Sequence, residues 1–111
     1  MTKYAVLTTN LLDKIDEIKK QLGERKIVVT TLTFSKALKK GINPSIILDN
    51  DVWVRAYSHK PVKISGLDEA DSESIMVALE LSADLVTDDE KVEAIAKKMG
   101  VNVVRFPSLT S

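Results

Sequence analysis

Acidic side chains that could hold a divalent cation occur at two places in the second half of the sequence. Asp71 lies near the start of a predicted helix, and Asp88 and Asp89 follow an apolar run. Carboxylate oxygens are the ligands that Mg²⁺ and Mn²⁺ prefer, and a cation held in this way polarises a phosphodiester and activates water for attack. These three residues would form a metal site if the fold brought the two places together.

The alternative interpretation is that these acids only cap helices. An Asp side chain at an N-cap accepts hydrogen bonds from the first backbone N–H groups of a helix. Asp88 lies at the expected start of the last helix, and Asp71 lies at that of the helix before it. On spacing alone, capping is favoured over catalysis.

Residue types exclude several other kinds of chemistry. The 111 residues include no cysteine and one histidine, His59. Thiol catalysis, disulfides and Cys-ligated metal sites are therefore excluded, and neither a Ser-His-Asp triad nor a multi-His zinc site is expected. Because no apolar run approaches the roughly 18 residues of a membrane span, we expect a cytoplasmic protein that does not contact a membrane.

The charges are unevenly distributed although they sum to zero. Residues 1–65 contain twelve Lys or Arg and six Asp or Glu, whereas residues 66–111 contain four and ten. Such a concentration of acids is typical of a solvated helix face, but it also suits an acidic pocket that binds a divalent cation. The sequence leaves both explanations open.

The elements that must position these residues alternate between strands and helices. Apolar runs predict strands near residues 4–7, 26–30, 85–87 and 101–104, and apolar stripes at helical spacing predict helices between them. This order predicts one domain over residues 1–111, an α/β fold in which a mainly parallel central sheet is the middle layer of a three-layer α/β/α sandwich. Because ligands of such folds bind at the carboxyl ends of strands, the residues directly after each strand are the candidates for a binding site.

The stretch at about residues 46–65 is the least regular, and we interpret it as an irregular β insert, a hairpin or a pair of edge strands. Period-two alternation places Trp53, Arg55, Tyr57 and His59 on one face. Such a face suits a subunit or protein-partner interface, the packing of Trp53 beneath a loop, or the stacking of single-stranded RNA bases. The interface is favoured among these three, and the homo-oligomer or protein partner that it implies is part of the prediction.

Residues 67–92 resemble the C-terminal half of a PIN domain. The match consists of an Ala-Leu-Glu-Leu-x-Ala-Asp step at 78–84, a Thr-x-Asp turn at 87–89 and a Gly-Val-x-Val-Val run at 100–104. The resemblance extends more weakly to Ala-Val-Leu-Thr-Thr-Asn-Leu-Leu at 5–12. It implies the fold of a metal-dependent ribonuclease, in which a quartet of acids holds Mg²⁺ or Mn²⁺.

Carried over by position, the resemblance makes Asp71 the third acid of the quartet and Asp89 the fourth, with Asp88 beside it. Asp71 and Asp89 would then be the catalytic residues, and all three acids would be metal ligands. They would need to lie within about 8 Å of one another for one ion to bridge them.

The first two acids of that quartet are missing. The opening acid is replaced by Thr8, so that Thr8 and Asn10 mark a degenerate part of the site, and the acid expected on the second helix falls at Ser35 or Lys36. A hydroxyl and an ammonium group cannot replace two carboxylates around a divalent cation.

Two functions therefore stay open at the level of the sequence. The first is a PIN-like, nucleic-acid-associated domain whose expected partner is single-stranded RNA and that, if active, is a degenerate or weak Mg²⁺- or Mn²⁺-dependent endoribonuclease. The second is a non-catalytic protein-interaction or homodimerisation module on the same fold.

Overall fold

The apolar runs form one parallel sheet in the computed structural model of the chain, which describes residues 3–60 and 62–106. In these ranges the strands are β1 Tyr4–Leu7, β2 Lys26–Thr30, β3 Trp53–Arg55, β4 Asp84–Thr87 and β5 Val103–Arg105. Their order across the sheet is β3-β2-β1-β4-β5, and each neighbouring pair is parallel. The predicted parallel sheet is therefore confirmed.

Helices cover both faces of this sheet. A 3₁₀ helix, Thr9–Lys14, leads into the first α-helix, and the α-helices are α1 Ile15–Leu22, α2 Thr31–Lys39, α3 Pro44–Leu48, α4 Glu69–Leu81 and α5 Glu90–Lys98. Within the described ranges, no helix has both the length and the apolar composition needed to cross a membrane.

Two apolar clusters, one on each face of the sheet, account for the three layers. Successive residues of a strand point to opposite faces, so Ala5 and Leu7 pack with α1 in one cluster, while Val6 packs with α4 and α5 in the other. β4 is buried along its whole length, which explains why it reads as a continuous apolar run after its first residue.

The path of the chain creates a crevice between the two central strands. From β1 the chain proceeds outward through β2 to β3, and it then returns to place β4 on the other side of β1. Ligands of open parallel sheets bind where the strand order reverses in this way, at the carboxyl ends of the two strands. Here those ends are Thr8, directly after β1, and Thr87, the last residue of β4.

The expectation of a hairpin within residues 46–65 is wrong. The segment contains one strand, β3, which pairs in parallel with β2 at the edge of the sheet, and residues 62–64 are not part of a strand. The start of the segment is helical, because the Asn43 side chain accepts a hydrogen bond from Ser45 N–H and Pro44 occupies the first turn of α3. Because β2 and β3 are parallel, the chain between them must cross over, and α2 and α3 lie in that crossover, which a hairpin cannot provide.

Candidate functional site

A small polar pocket lies at the carboxyl ends of β1 and β4. Its volume is about 100 Å³, and its walls come from the residues that directly follow the two central strands, from the C-terminal half of α2 and the residue after it, and from the first turn of α4. The lining residues are Thr8, Thr9, Asn10, Lys36, Lys40, Asp71, Asp88 and Asp89. The fold therefore brings the three acids singled out in the sequence to the same pocket as the two degenerate positions after β1.

Hydroxyl groups form the floor of the pocket. The buried Thr8 donates a hydrogen bond from Oγ1 to Thr87 Oγ1 at 3.0 Å, and Thr87 Oγ1 in turn accepts one from Asp89 N–H at 3.2 Å. The hydroxyl at position 8 thus joins the two strands. Among the described residues, the Thr9 Oγ1 atom beside them is buried and has no hydrogen-bond partner.

Helix capping is performed by acids other than those expected. Asp89 is the N-cap of α5, because its carboxylate accepts hydrogen bonds from Lys91 N–H at 2.8 Å and from Val92 N–H at 3.2 Å. Asp68 is the N-cap of α4 and accepts from Asp71 N–H at 2.8 Å. The interpretation of Asp88 and Asp71 as caps is therefore wrong.

Asp71 and Asp88 do not cap helices because neither residue lies at the N-cap position. Asp71 is the third residue of α4, and Asp88 lies one residue before the cap of α5. An N-cap side chain bonds the N–H groups two or three residues ahead of it, and only Asp68 and Asp89 have that spacing here. Asp71 and Asp88 are left to face the pocket.

Two lysine side chains enter the pocket beside these acids. Lys36 on α2 and Lys40 just after it are four residues apart and therefore lie on the same side of the helix. The Lys36 ammonium group forms an ion pair with Asp68, and Lys40 Nζ donates to Asn10 Oδ1 at 3.0 Å. The hydrogen bond to Asp68 is the main cause that raises the pKa of Lys36; burial opposes it, and the charges of Asp68, Asp71 and Asp89 add to it.

Asp71 has an unusual environment for a carboxyl group. Burial is the main cause that raises its pKa to about 6, and the negative charges of Asp68 and Asp89 act in the same direction. The ammonium groups of Lys36 and Lys40 lower the pKa but do not cancel this effect. The Asp71 carboxylate therefore gains a proton in mildly acidic solution, well above the usual range for Asp.

The residues of this pocket do not fit the divalent cation that the sequence resemblance implies. No group of three or more Asp, Glu, His or Cys side chains in the described part of the chain is arranged to hold a metal ion. Thr8 and Asn10 are neutral, and two ammonium groups share the pocket with the carboxylates. Since a divalent cation needs several oxygen ligands and is repelled by nearby positive charge, this donor set is unsuitable for it.

Sequence reasoning considered Lys40 only as part of a basic rim, and it missed both the place of Lys40 in the pocket and the capping role of Asp68. The signal for Lys40 was its four-residue spacing from Lys36 within a predicted helix, which places both side chains on one face. The signal for Asp68 was its position three residues ahead of Asp71, since an N-cap acid bonds the N–H group at that distance.

The side chains predicted for a partner or nucleic-acid surface lie together at the β3 edge, in contact with one another and with the domain. The Trp53 ring lies 5.6 Å from that of Tyr4, and the Arg55 guanidinium group stacks over Trp53 at 5.1 Å. Tyr57 and His59 have their ring centroids 5.3 Å apart.

Glu80, which the sequence did not single out, joins this group. Arg55 Nη2 donates to Glu80 Oε1 at 2.8 Å, and His59 Nε2 lies 3.8 Å from Glu80 Oε2. Of the four predicted side chains, three are half-buried and His59 is exposed. The partner or RNA surface at this edge stays a prediction.

Comparison with solved structures found two informative similarities. One is a PilT N-terminus domain protein from the archaeon Sulfolobus solfataricus, which is 43% identical, superposes with a TM-score of 0.84, and is matched over 92% of this chain and 86% of that one. The other is a domain of a functionally unknown protein from Methanocaldococcus jannaschii, at 16% identity, a TM-score of 0.60, and coverage of 99% and 95%. The second similarity supports the fold alone. No protein-family model and no curated protein matches the sequence.

Proposed function

The chain belongs to the PilT N-terminus (PIN) domain family, and from this premise we propose that it is a PIN domain that binds single-stranded RNA without metal-dependent hydrolysis. The observation that carries the proposal is the presence of the Lys36 and Lys40 ammonium groups in the pocket where the family resemblance puts metal ligands. Positive charge at this position disfavours a divalent cation and favours a phosphate backbone.

A groove next to the pocket could hold the backbone of a bound RNA if the groove lies along its path; this feature supports the proposal. It has a volume of about 290 Å³ and runs between α2 and the start of α4, and Lys36 lines both the groove and the pocket. The groove also includes the exposed Lys39. Lys36, Lys39 and Lys40 therefore offer a series of ammonium groups along α2.

The carboxylates of the pocket restrict where the phosphates of a bound RNA can lie. Asp71, Asp88 and Asp89 would repel a phosphate placed inside the pocket, so the backbone is expected to follow the lysines along its rim. Asp71, with its pKa of about 6, is a carboxyl group of the pocket that exchanges a proton in mildly acidic solution. Without a cation to orient water at the phosphodiester, that group alone does not make a hydrolytic site.

Binding of a labelled single-stranded RNA, followed by fluorescence anisotropy in EDTA, tests the proposal. The double substitution Lys39→Glu with Lys40→Glu should weaken binding by at least about tenfold and reduce the dependence of log K on log salt by about 1.4, because two phosphate contacts are lost. The matched control is Lys98→Glu, the same change of charge at the far end of α5, which should alter binding little.

Three results would contradict the proposal. The first is RNA affinity that is unchanged by the double substitution, which would show that these lysines do not contact the RNA. The second is no RNA binding by the unmodified protein, which would favour the non-catalytic protein-interaction alternative. The third is cleavage of the RNA on addition of Mn²⁺, seen on a denaturing gel.

A further inference from the structure

We propose that Lys36 is a built-in cation of the pocket, whose ammonium group supplies the positive charge that a divalent ion supplies in a metal-binding site and so keeps the pocket free of metal. This inference deepens the proposed function, since both take the pocket to work without a metal. It concerns only the protein itself, however, and is tested without RNA.

Lys36 is held in place by the way α2 is anchored. The Thr30 side chain caps α2 by accepting from Thr33 N–H at 3.2 Å, and the buried Thr33 Oγ1 lies 3.1 Å from Ser74 Oγ on α4. These contacts fix the first turn of α2 against α4. Lys36 follows one turn later on the same side of α2, which directs its ammonium group to Asp68 at the start of α4.

The ammonium group at this position acts on several carboxylates at once. It is paired directly with Asp68, and the charges of Asp71 and Asp89 also stabilise its protonated form. One side chain therefore balances part of the negative charge of three acids from the starts of α4 and α5. This is the electrostatic role of a bound cation in an acidic site.

Lys36 also competes for the oxygens that a metal would need. One Asp68 oxygen accepts from Lys36, and the other accepts from Asp71 N–H. Asp89 Oδ1 is engaged in capping α5. A divalent ion would have to displace the ammonium group or bind beside it, and electrostatic repulsion opposes the latter.

Mn²⁺ titration by calorimetry, together with thermal unfolding in EDTA and in Mn²⁺, tests this role. The proteins to compare are the unmodified chain, Lys36→Glu, Lys36→Met and Lys39→Glu. Lys39→Glu is the matched control, because it makes the same charge change on the same helix at an exposed residue outside the lining of the pocket.

We expect the unmodified protein and Lys39→Glu to bind Mn²⁺ weakly or not at all. Lys36→Glu should bind it at least about tenfold more tightly, and saturating Mn²⁺ should raise its unfolding midpoint by at least about 4 °C. Lys36→Met removes the charge without adding a ligand, and it should show a smaller gain in the same direction.

Micromolar binding of Mn²⁺ by the unmodified protein would overturn the inference, whatever the variants do. It would also be overturned if Lys36→Glu and Lys36→Met both folded and bound Mn²⁺ no better than Lys39→Glu. If Lys36→Glu did not fold, Lys36→Met would decide the question by the same comparison. RNA binding in EDTA is a separate measurement, so failure of this inference is distinguishable from failure of the proposed function.

Discussion

The two ends of β4 both carry aspartate, but in opposite environments. At the amino end, the buried Asp84 accepts from Arg25 Nη1 at 2.7 Å and from Asn102 Nδ2 at 3.0 Å. At the carboxyl end, Asp88 and Asp89 border an open polar pocket into which Asp71 also faces. There the positive charges of Lys36 and Lys40 are shared among several acids, and they leave the pKa of Asp71 raised by burial and by its acidic neighbours.

Asp84 stabilises the fold, whereas the negative charges of Asp71, Asp88 and Asp89 are only partly balanced. Asp84 has a dedicated guanidinium partner and an amide partner, and it joins the segments that precede β2 and β5. The carboxyl-end acids have fewer partners than their number requires, which costs stability and is typical of sites that bind or react. The predictions below test whether the two ends differ in this way, from the largest expected effect to the smallest.

The largest effect is expected at the amino end of β4. Arg25→Met should lower the free energy of unfolding by about 3 kcal/mol, because it leaves the Asp84 carboxylate buried without its charged partner. Urea denaturation measures the change. The control is Lys26→Met, which removes the partner of the fully exposed Asp51 and should have little effect. Equal losses from both substitutions would show that the Arg25–Asp84 pair has no special role.

An intermediate effect is expected from the capping acid of the pocket. Asp89→Ala should lower the free energy of unfolding by about 1–2 kcal/mol, because α5 loses the acceptor for its first N–H groups. The same urea experiment on Asp88→Ala provides the control, since Asp88 lies beside the cap and does not fill that role. A larger loss from Asp88→Ala would contradict the assignment of the cap.

The smallest effect is expected at Asp71 and has the opposite sign. The folded-state pKa of about 6 lies above the unfolded value of about 3.8, so the folded protein binds the proton more tightly. The contribution of this group is most favourable below about pH 4, declines as the pH rises to about 6 and is then constant. Asp71→Asn should therefore stabilise the protein at pH 7, by about 1 kcal/mol once solvent screening of this partly exposed side chain is included.

The measurement for Asp71 is the free energy of unfolding at several pH values. The difference between Asp71→Asn and the unmodified protein should grow between pH 4 and pH 6 and then stay level. Glu69→Gln, an exposed substitution in the same turn of α4, is the control and should show no such growth. A destabilising effect of Asp71→Asn at pH 7 would mean that the carboxylate at this position has a favourable partner.

Much of the fold could be predicted from the spacing of apolar residues in the sequence. Apolar runs such as residues 4–7 and 85–87 are confirmed as strands, and the family resemblance first seen in residues 67–92 is confirmed by the similarity to a PIN domain protein. Parallel strands buried on both faces must be apolar throughout, so they leave a clear pattern. The segment at 46–65 left no such pattern, because β3 is a three-residue edge strand and α3 is only five residues long.

The candidate site was predictable in composition but not in detail. The rule that ligands bind at the carboxyl ends of parallel strands was enough to group Thr8, Asn10, Asp88 and Asp89. It could not show which acid caps a helix, since a shift of a single residue in the start of α5 moves the cap from Asp88 to Asp89.

Outside residues 46–65, the sequence by itself determined the succession of strands and helices along the chain, the two apolar faces of the sheet and the residues at the ends of the strands, because each depends on residue types at short spacing. Only the tertiary structure decided how the charges combine. Lys36 and Asp68 are 32 residues apart in the chain, and their ion pair exists because α2 and α4 pack side by side. Electrostatic interactions depend on distance in space, and no local pattern in a sequence specifies that distance.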